Sequence, residues 1–450
     1  MGRGVSLRRR LVEQVSRRLG DRQLIWFGTR GDDAESLADL PQLTHVFSLT
    51  NAYRRQMAID GHALEDLTSV RVDLDTYDID DHPRDEATDQ FRRDLLGVLS
   101  QPSVVVTYRP STFLSAVCFA RQDRCTDLGM FKDHQAAFEH KPWVESAVRE
   151  LELPRLEWAY IADSEQLRTH RYLADGPVML RRSRSSGGTG LTLVEDLTEL
   201  ADAWPKLDEA FVSVAPFVPD ARPINIGAVV WDDGVSIHPA SLQVIGHPAL
   251  TRRPFGYCGN DFGAFADLDA GTIDAIETST TRIGEWLRRS GYRGAFGVDY
   301  LVKDGVPLFT EVNPRFQGST HLSAEISVRR DEPCILLEHV AAHLGLERPV
   351  RPPLKDYVGA ECSRAHLVVH HLGEDPEHLD PHELIRHFIA KPTAVRTDVH
   401  TRPSLTTLPG GVVARLTVED RATTDGFDLL NVWASVLAAT LTAPPPRHEN

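Results

Sequence analysis

Short apolar runs separated by stretches of helical spacing open the chain. Residues 24–28 (LIWFG), 45–49 (HVFSL), 69–74 (SVRVDL) and 103–108 (SVVVTY) carry the β-branched, aromatic and aliphatic content of strands. Strands that alternate with helices predict a parallel sheet with crossover connections. Farther on, Val144, Ala147, Val148 and Leu151 recur at helical spacing, after a start at His140-Lys141-Pro142 and before a stop at Leu153-Pro154. Residues 178–180 and 191–194 read as strands around a Gly- and Ser-rich loop, and 211–218 as a further strand. Residues 224–231 and 236–244 alternate as a strand pair about a Trp-Asp-Asp-Gly turn. Ile276, Ile283 and Leu287 predict a helix over 272–289; others follow over 332–344 and 427–441, with a strand at 412–418. Residues 248–265 read as a loop, and Leu7, Leu11 and Val15 as the inward face of a basic N-terminal helix.

The stretch from Gly294 to Thr320 holds the densest chemistry. Residues 296–302 and 308–313 are strand-like, and Asp304-Gly305 between them is a strong hairpin signal, because glycine accepts positive φ without penalty. Alternation puts Glu311 and Asn313 on one face. A three-residue connection, Asp304 to Val306, sets Asp299 directly opposite Glu311. Two carboxylates and an amide then gather at one spot, all hard oxygen ligands suited to Mg²⁺. Arg315 adds positive charge beside metal-bound phosphates. An ordinary solvated hairpin is the plainer alternative.

Three other stretches carry weaker signals. Lys141 falls at a helix N-terminus, where anions collect. Gly187, Gly188 and Gly190 let backbone N–H groups approach a phosphate, and no Gly-Lys-Ser/Thr follows, so the loop is not a Walker A motif. Arg252, Tyr257 and Asn260 in the 248–265 loop offer groups for an acceptor or carboxylate. Gly28-Thr29-Arg30-Gly31 is too short a glycine signal for a dinucleotide loop and reads as a substrate-side or structural turn. The histidines clustered after His343 (His366, His370, His371, His378, His382, His387 and His400) have irregular spacing and read as surface residues, not metal ligands.

The 450 residues permit two or three domains. Apolar content of 41% and charged content of 25% are those of a globular protein. A net charge of −16 disfavours non-specific nucleic-acid binding. Five scattered cysteines without a C-x-x-C suggest neither disulfides nor zinc and fit a reduced, cytoplasmic compartment. No apolar run reaches membrane-span length, and the basic N-terminus lacks the apolar core of a secretory signal. Met1-Gly2 with Ser6 formally fits a myristoylation pattern, but a solvated basic helix accounts for it. The expectation is therefore no membrane and no nucleic-acid partner.

Asp299 followed by Glu311-Val312-Asn313-Pro314-Arg315 resembles the metal-binding hairpin of the ATP-grasp superfamily, and Lys141, the 183–190 loop and the 215–218 segment resemble that superfamily's other motifs in order and spacing. The resemblance covers roughly residues 130–345. It implies an α/β chain with α+β elements in the ATP-grasp fold: an N-terminal parallel α/β domain (1–130), an ATP-grasp domain (131–345, lid about 155–218) and a C-terminal closing subdomain (346–442), before a disordered tail (443–450). It implies that Lys141, Arg181, Ser185, Ser186, Gly187, Gly188, Ala215, Phe217 and Val218 bind ATP. Asp299, Glu311 and Asn313 would hold two Mg²⁺, and Arg315 would stabilise an acyl phosphate. Arg181 stands where the family normally has Lys, and Ala215 where an acid is common. Val358 to Arg364 resembles a C-terminal strand of biotin carboxylases. The implied activity is ADP-forming ligation of a carboxylate to an amine, in the manner of stand-alone peptide ligases of antibiotic biosynthesis. Its partners would be small-molecule or peptide substrates, with a homodimer compatible. Carboxylation, small-molecule phosphorylation and non-catalytic nucleotide binding remain alternatives.

Overall fold

The computed structural model describes residues 6–50, 59–72, 85–129, 135–163, 167, 172, 175–183, 187–196, 211–378, 395–398, 405–431 and 433. The first sheet is parallel and five-stranded: β1 (Gln23–Arg30), β2 (Leu43–Thr50), β3 (Asp60–Ala63), β4 (Ser103–Thr107) and β5 (Cys125–Asp127), in the order β3-β2-β1-β4-β5. Every residue of β4 is buried, as expected of a strand covered on both faces. Residues 69–72 do not form the expected strand, and 73–74 lie outside the described residues. Val70 makes only a bridge to Thr406, and the sheet's fourth parallel partner is β3. In the first helix, Leu7–Leu19, the inward residues are Arg8, Leu11, Val15 and Leu19, whereas Leu7 is exposed.

A small antiparallel sheet follows: β6 (Ala159–Ile161), β7 (Val178–Arg181), β8 (Leu191–Val194) and β9 (Val212–Pro216), ordered β6-β9-β7-β8. It has its own core of Ile161, Leu167, Val178, Leu180, Val194, Val212 and Val214. The helix before it spans Lys141–Arg149, capped by His140, and stops short of Leu153-Pro154. Those two residues instead approach the large sheet, where Phe309 donates its N–H to the Pro154 carbonyl.

That large sheet has eight strands. β10 (Arg222–Val230), β11 (Val235–Ile245), β12 (Tyr257–Asp261), β13 (Gly294–Lys303) and β14 (Val306–Asn313) are joined by β15 (Ala365–His370), β17 (Val395–Asp398) and β19 (Val412–Val418), in the order β14-β13-β10-β11-β12-β15-β19-β17. The two-residue strands β16 (Glu377–His378) and β18 (Thr406–Thr407) pair separately. Two expectations change here. β12 crosses the stretch expected to be loop, and the C-terminal strands extend the same sheet. Val358 to Arg364 holds one short 3-10 turn, Ala360–Cys362, and no strand. The final helix expected over 427–441 and the 443–450 tail lie mostly outside the described residues, as do His382, His387 and His400.

Two helices set the sheet's position. Ala270–Arg289 starts at Asp269, whose carboxylate accepts from the Thr272 N–H at 2.9 Å, and buries Ile273, Ile276, Ile283 and Leu287. Ile335–His343 is buried along nearly its whole length and shares one core with the N-terminal domain, in which Leu336, Leu337 and Val340 join Leu11, Val15, Leu24 and Trp26. The N-terminal sheet is thereby locked against the large sheet.

Candidate active site

The β13–β14 hairpin pairs Asp299 with Glu311, as the sequence suggests, but by another route. The connection is only Asp304-Gly305, since Lys303 pairs with Val306. A bulge between Asp299 and Tyr300 supplies the missing step of register. Across β10, Asn225 lies opposite Asp299 and donates to its Oδ1 at 2.5 Å; Gln243 of β11 donates to the same oxygen at 3.0 Å. Asn313 Nδ2 donates to Asp299 Oδ2 at 3.0 Å and to Glu311 Oε1 at 3.2 Å. Arg315 in turn donates to Asn313 Oδ1 at 3.0 Å and stands 3.5 Å from Glu139.

Burial and the neighbouring Glu311 charge push the Asp299 carboxyl well above the usual range. Desolvation acts on the half-buried Glu311 in the same direction, but Lys141 and Arg181 hold its carboxyl below the usual range. Lys141 Nζ is 3.4 Å from Glu311 Oε2, and Arg181 is 4.0 Å away. Two carboxylates forced together on a half-buried cavity wall repel each other when both are ionised, and a divalent cation is the natural remedy. Asp299 and Glu311 thus suit Mg²⁺ in donor type. Asn313 fits on condition that its amide turns over, because it now presents nitrogen to both acids and oxygen to Arg315.

One cavity of about 860 Å³ joins this hairpin to the small sheet, the N-terminal domain and the C-terminal strands. Lys141, Arg181, Gly187, Gly188, Phe217, Val218, Asp299, Glu311, Asn313, Arg315, Tyr257 and Asn260 all line it. Arg181 is buried and built in. It pairs with Glu145, donates to the Thr310 carbonyl at 3.1 Å, and lies 3.9 Å above the Trp158 ring. Burial lowers its pKa to about 10. Leu156, Trp158, Met179 and Phe217 give that end an apolar slot.

Some expected residues fall elsewhere. Ala215 is buried opposite Met179 inside the small sheet and does not line the cavity. Arg252 is an exposed residue 3.5 Å from Glu374 and does not line the cavity. Ser185 and Ser186 lie outside the described residues. His366, His370 and His371 are buried and not surface residues; His366 stands 3.0 Å from the Tyr257 hydroxyl, and His370 lines the cavity. Sequence reasoning also passed over Asn225, Gln243, Glu145 and Trp158. Only Asn225 had a usable signal, as a polar residue inside an otherwise apolar strand.

A small sheet closing over the acidic hairpin of a larger antiparallel sheet, behind a parallel N-terminal domain, defines the ATP-grasp fold. Residues 162–319 match the family model of the ATP-grasp domain. It is similar to formate-dependent phosphoribosylglycinamide formyltransferase from Pelobacter propionicus, 26% identical over 232 residues that cover 50% of this chain and 52% of the relative. The chain spans about half the length of the curated relatives it matches. Among solved structures, biotin carboxylase from Campylobacter jejuni superposes with a TM-score of 0.61 at 14% identity, covering 89% of each chain. N5-carboxyaminoimidazole synthase from Aspergillus clavatus, in complex with ADP and 5-aminoimidazole ribonucleotide, gives 0.61 at 13% identity, covering 93% of this chain and 99% of that one. At these identities the structural likeness speaks to fold alone.

Proposed function

We propose that this protein is an ATP-dependent, ADP-forming ligase that joins a carboxylate to an amine through an acyl phosphate. The observation that carries the reading is the one cavity linking an apolar slot, a cationic pair at Lys141 and Arg181, and a half-buried acidic pair at Asp299 and Glu311. The slot formed by Leu156, Trp158, Met179 and Phe217 suits a purine ring. Lys141 and Arg181, both now turned on Glu311, suit phosphate oxygens; Gly187 and Gly188 offer backbone N–H groups beside them. Mg²⁺ at Asp299, Glu311 and a reoriented Asn313 would neutralise phosphate charge and hold the transferring group in line. Arg315, fixed by Asn313 and Glu139, orients the reacting carboxylate. It then stabilises the oxyanion as the amine adds to the acyl phosphate and phosphate departs. No protein nucleophile is required, because the substrate carboxylate is itself the attacking group.

The expected product is an amide of an amino-acid or peptide acid, in natural-product biosynthesis. A second reading follows from the relatives' names: a one-carbon acid activated for transfer to the amine of a ribonucleotide. ADP release with ATP, Mg²⁺ and candidate acids separates them, with hydroxylamine trapping the acyl phosphate as a hydroxamate. Hydroxamate of an amino or peptide acid supports the first reading, and formyl hydroxamate the second. A stable phosphorylated product with no hydroxamate would replace both with a kinase. Glu311→Gln is expected to lower ADP release at least about 100-fold, and an unchanged rate would remove the metal site from the argument.

A further inference from the structure

The cavity wall also holds a second cluster that the ligase reading leaves unused. Arg30 comes from the end of β1, Arg109 from the loop after β4, and Arg415 from β19; all three line the cavity. Arg30 and Arg109 come from the N-terminal sheet and Arg415 from the far C-terminal strands, so only the folded protein assembles them. Tyr108 lies among them, within electrostatic reach of Arg30, Arg109 and Arg315.

Two buried acids brace this wall from behind. Asp33 accepts from Arg30 at 2.6 Å, and Asp32 Oδ1 is 3.5 Å from Arg30 Nε. Asp32 also pairs with Arg415. With His321, these carboxylates place ligand atoms within 4.8 Å of one another, but the cations that meet them are the two guanidiniums. Burying two acids and two arginines costs several kcal/mol of desolvation, and apolar residues of similar size would serve stability as well. What the array does supply is orientation. Arg30 and Arg415 are held in place by these carboxylates before a ligand arrives, which removes part of the ordering cost of binding.

We propose that Arg30, Arg109 and Arg415 form an anion subsite, so that the acid used here carries two anionic groups: a carboxylate reacting beside Arg315, and a second carboxylate or phosphate docked on this wall. Asp32 and Asp33 are its positioning residues. The inference rests on the ligase reading for the reacting end, but the subsite itself is a binding claim. One substrate reaches both Arg315 and this wall and is selected by the charge of the group that does not react.

The test pairs acids differing only at the far end: glutarate and its monoamide, and 3-phosphoglycerate and glycerate. Binding is read by calorimetry with the ATP analogue AMP-PNP and Mg²⁺, and turnover by ADP release with hydroxylamine. At least one dianionic acid is expected to bind about 10- to 100-fold more tightly than its partner, the range for one or two charge-assisted hydrogen bonds. The two pairs separate carboxylate from phosphate as the second group. Arg415→Gln and, independently of that buried ion pair, Arg109→Gln should each collapse this ratio to within about threefold. Asp33→Asn should raise KM for the dianion while changing kcat little, with Asp33→Glu restoring part of the loss. Dianion binding without ADP release from any acid would keep the subsite and overturn the ligase reading. ADP release with no preference for the dianion in either pair, or a preference unmoved in both arginine variants, would overturn the subsite.

Discussion

His339 makes a testable link between pH and the junction of the two main sheets. Its Nδ1 accepts the Ala295 N–H of β13 at 2.9 Å, and its Nε2 faces the Leu128 carbonyl just after β5. That pattern demands the neutral ring with its proton on Nε2, so Nδ1 has no room for a second proton without losing the Ala295 bond. The ring also packs 4.9 Å from Phe316. Burial accordingly lowers its pKa from 6.5 to about 4. The unfolded chain therefore takes up a proton below pH 6.5 that the folded chain refuses until about pH 4. The stabilising contribution is intact above 6.5 and drains away as pH falls, by about 3 kcal/mol at the lower end and about 2 kcal/mol at pH 5. In His339→Gln the amide can accept from Ala295 and donate to Leu128 without titrating. Urea unfolding of both proteins at intervals between pH 7.5 and pH 4 measures the difference, which cancels every titration they share. The wild type should lose about 3 kcal/mol relative to the variant over that range. A gap that stays constant with pH would refute the neutral, buried histidine and its role in the junction.

Three other outcomes follow from the site. Asp299→Asn removes one of two repelling half-buried charges. Because the Asp299 pKa is raised, wild-type stability falls relative to the variant as pH climbs above the ordinary carboxylate range. Thermal unfolding should show that relative gain in metal-free buffer and its loss on adding Mg²⁺, which stabilises only the wild type; turnover should vanish. Arg181→Lys keeps the charge but gives up the forked contacts to Glu145 and Thr310 and the stacking on Trp158, so ATP affinity by calorimetry should fall about tenfold. Gly188→Ala places a Cβ against the Phe255 carbonyl at a residue whose φ is +79°, so it should raise the KM for ATP severalfold with little change in global unfolding.

How far the chain could be read residue by residue depended on the range of the interaction. The glycine loop, the Lys141 helix start and the hairpin acids are local patterns, set by backbone φ, by the orphan N–H groups of a helix end and by two-residue alternation. All three were legible in the sequence. Even so, the hairpin register needed a bulge that no propensity announces, and Ala215 proved to face the sheet and not the cavity. The histidines after His343 looked exposed because their spacing is irregular and matches no metal motif, yet β15 carries His366 and His370 into the interior.

By itself, the sequence determined the class of fold and the acidic hairpin with its arginine, because those depend on order and short spacing. Tertiary structure decided the rest. Asn225 and Gln243 reach Asp299 across neighbouring strands, Glu145 and Trp158 build Arg181 into the wall, and Arg30 meets Arg415 only through Asp32. Such contacts join residues far apart in the chain, where burial and charge pairing, not local backbone preference, select the neighbour.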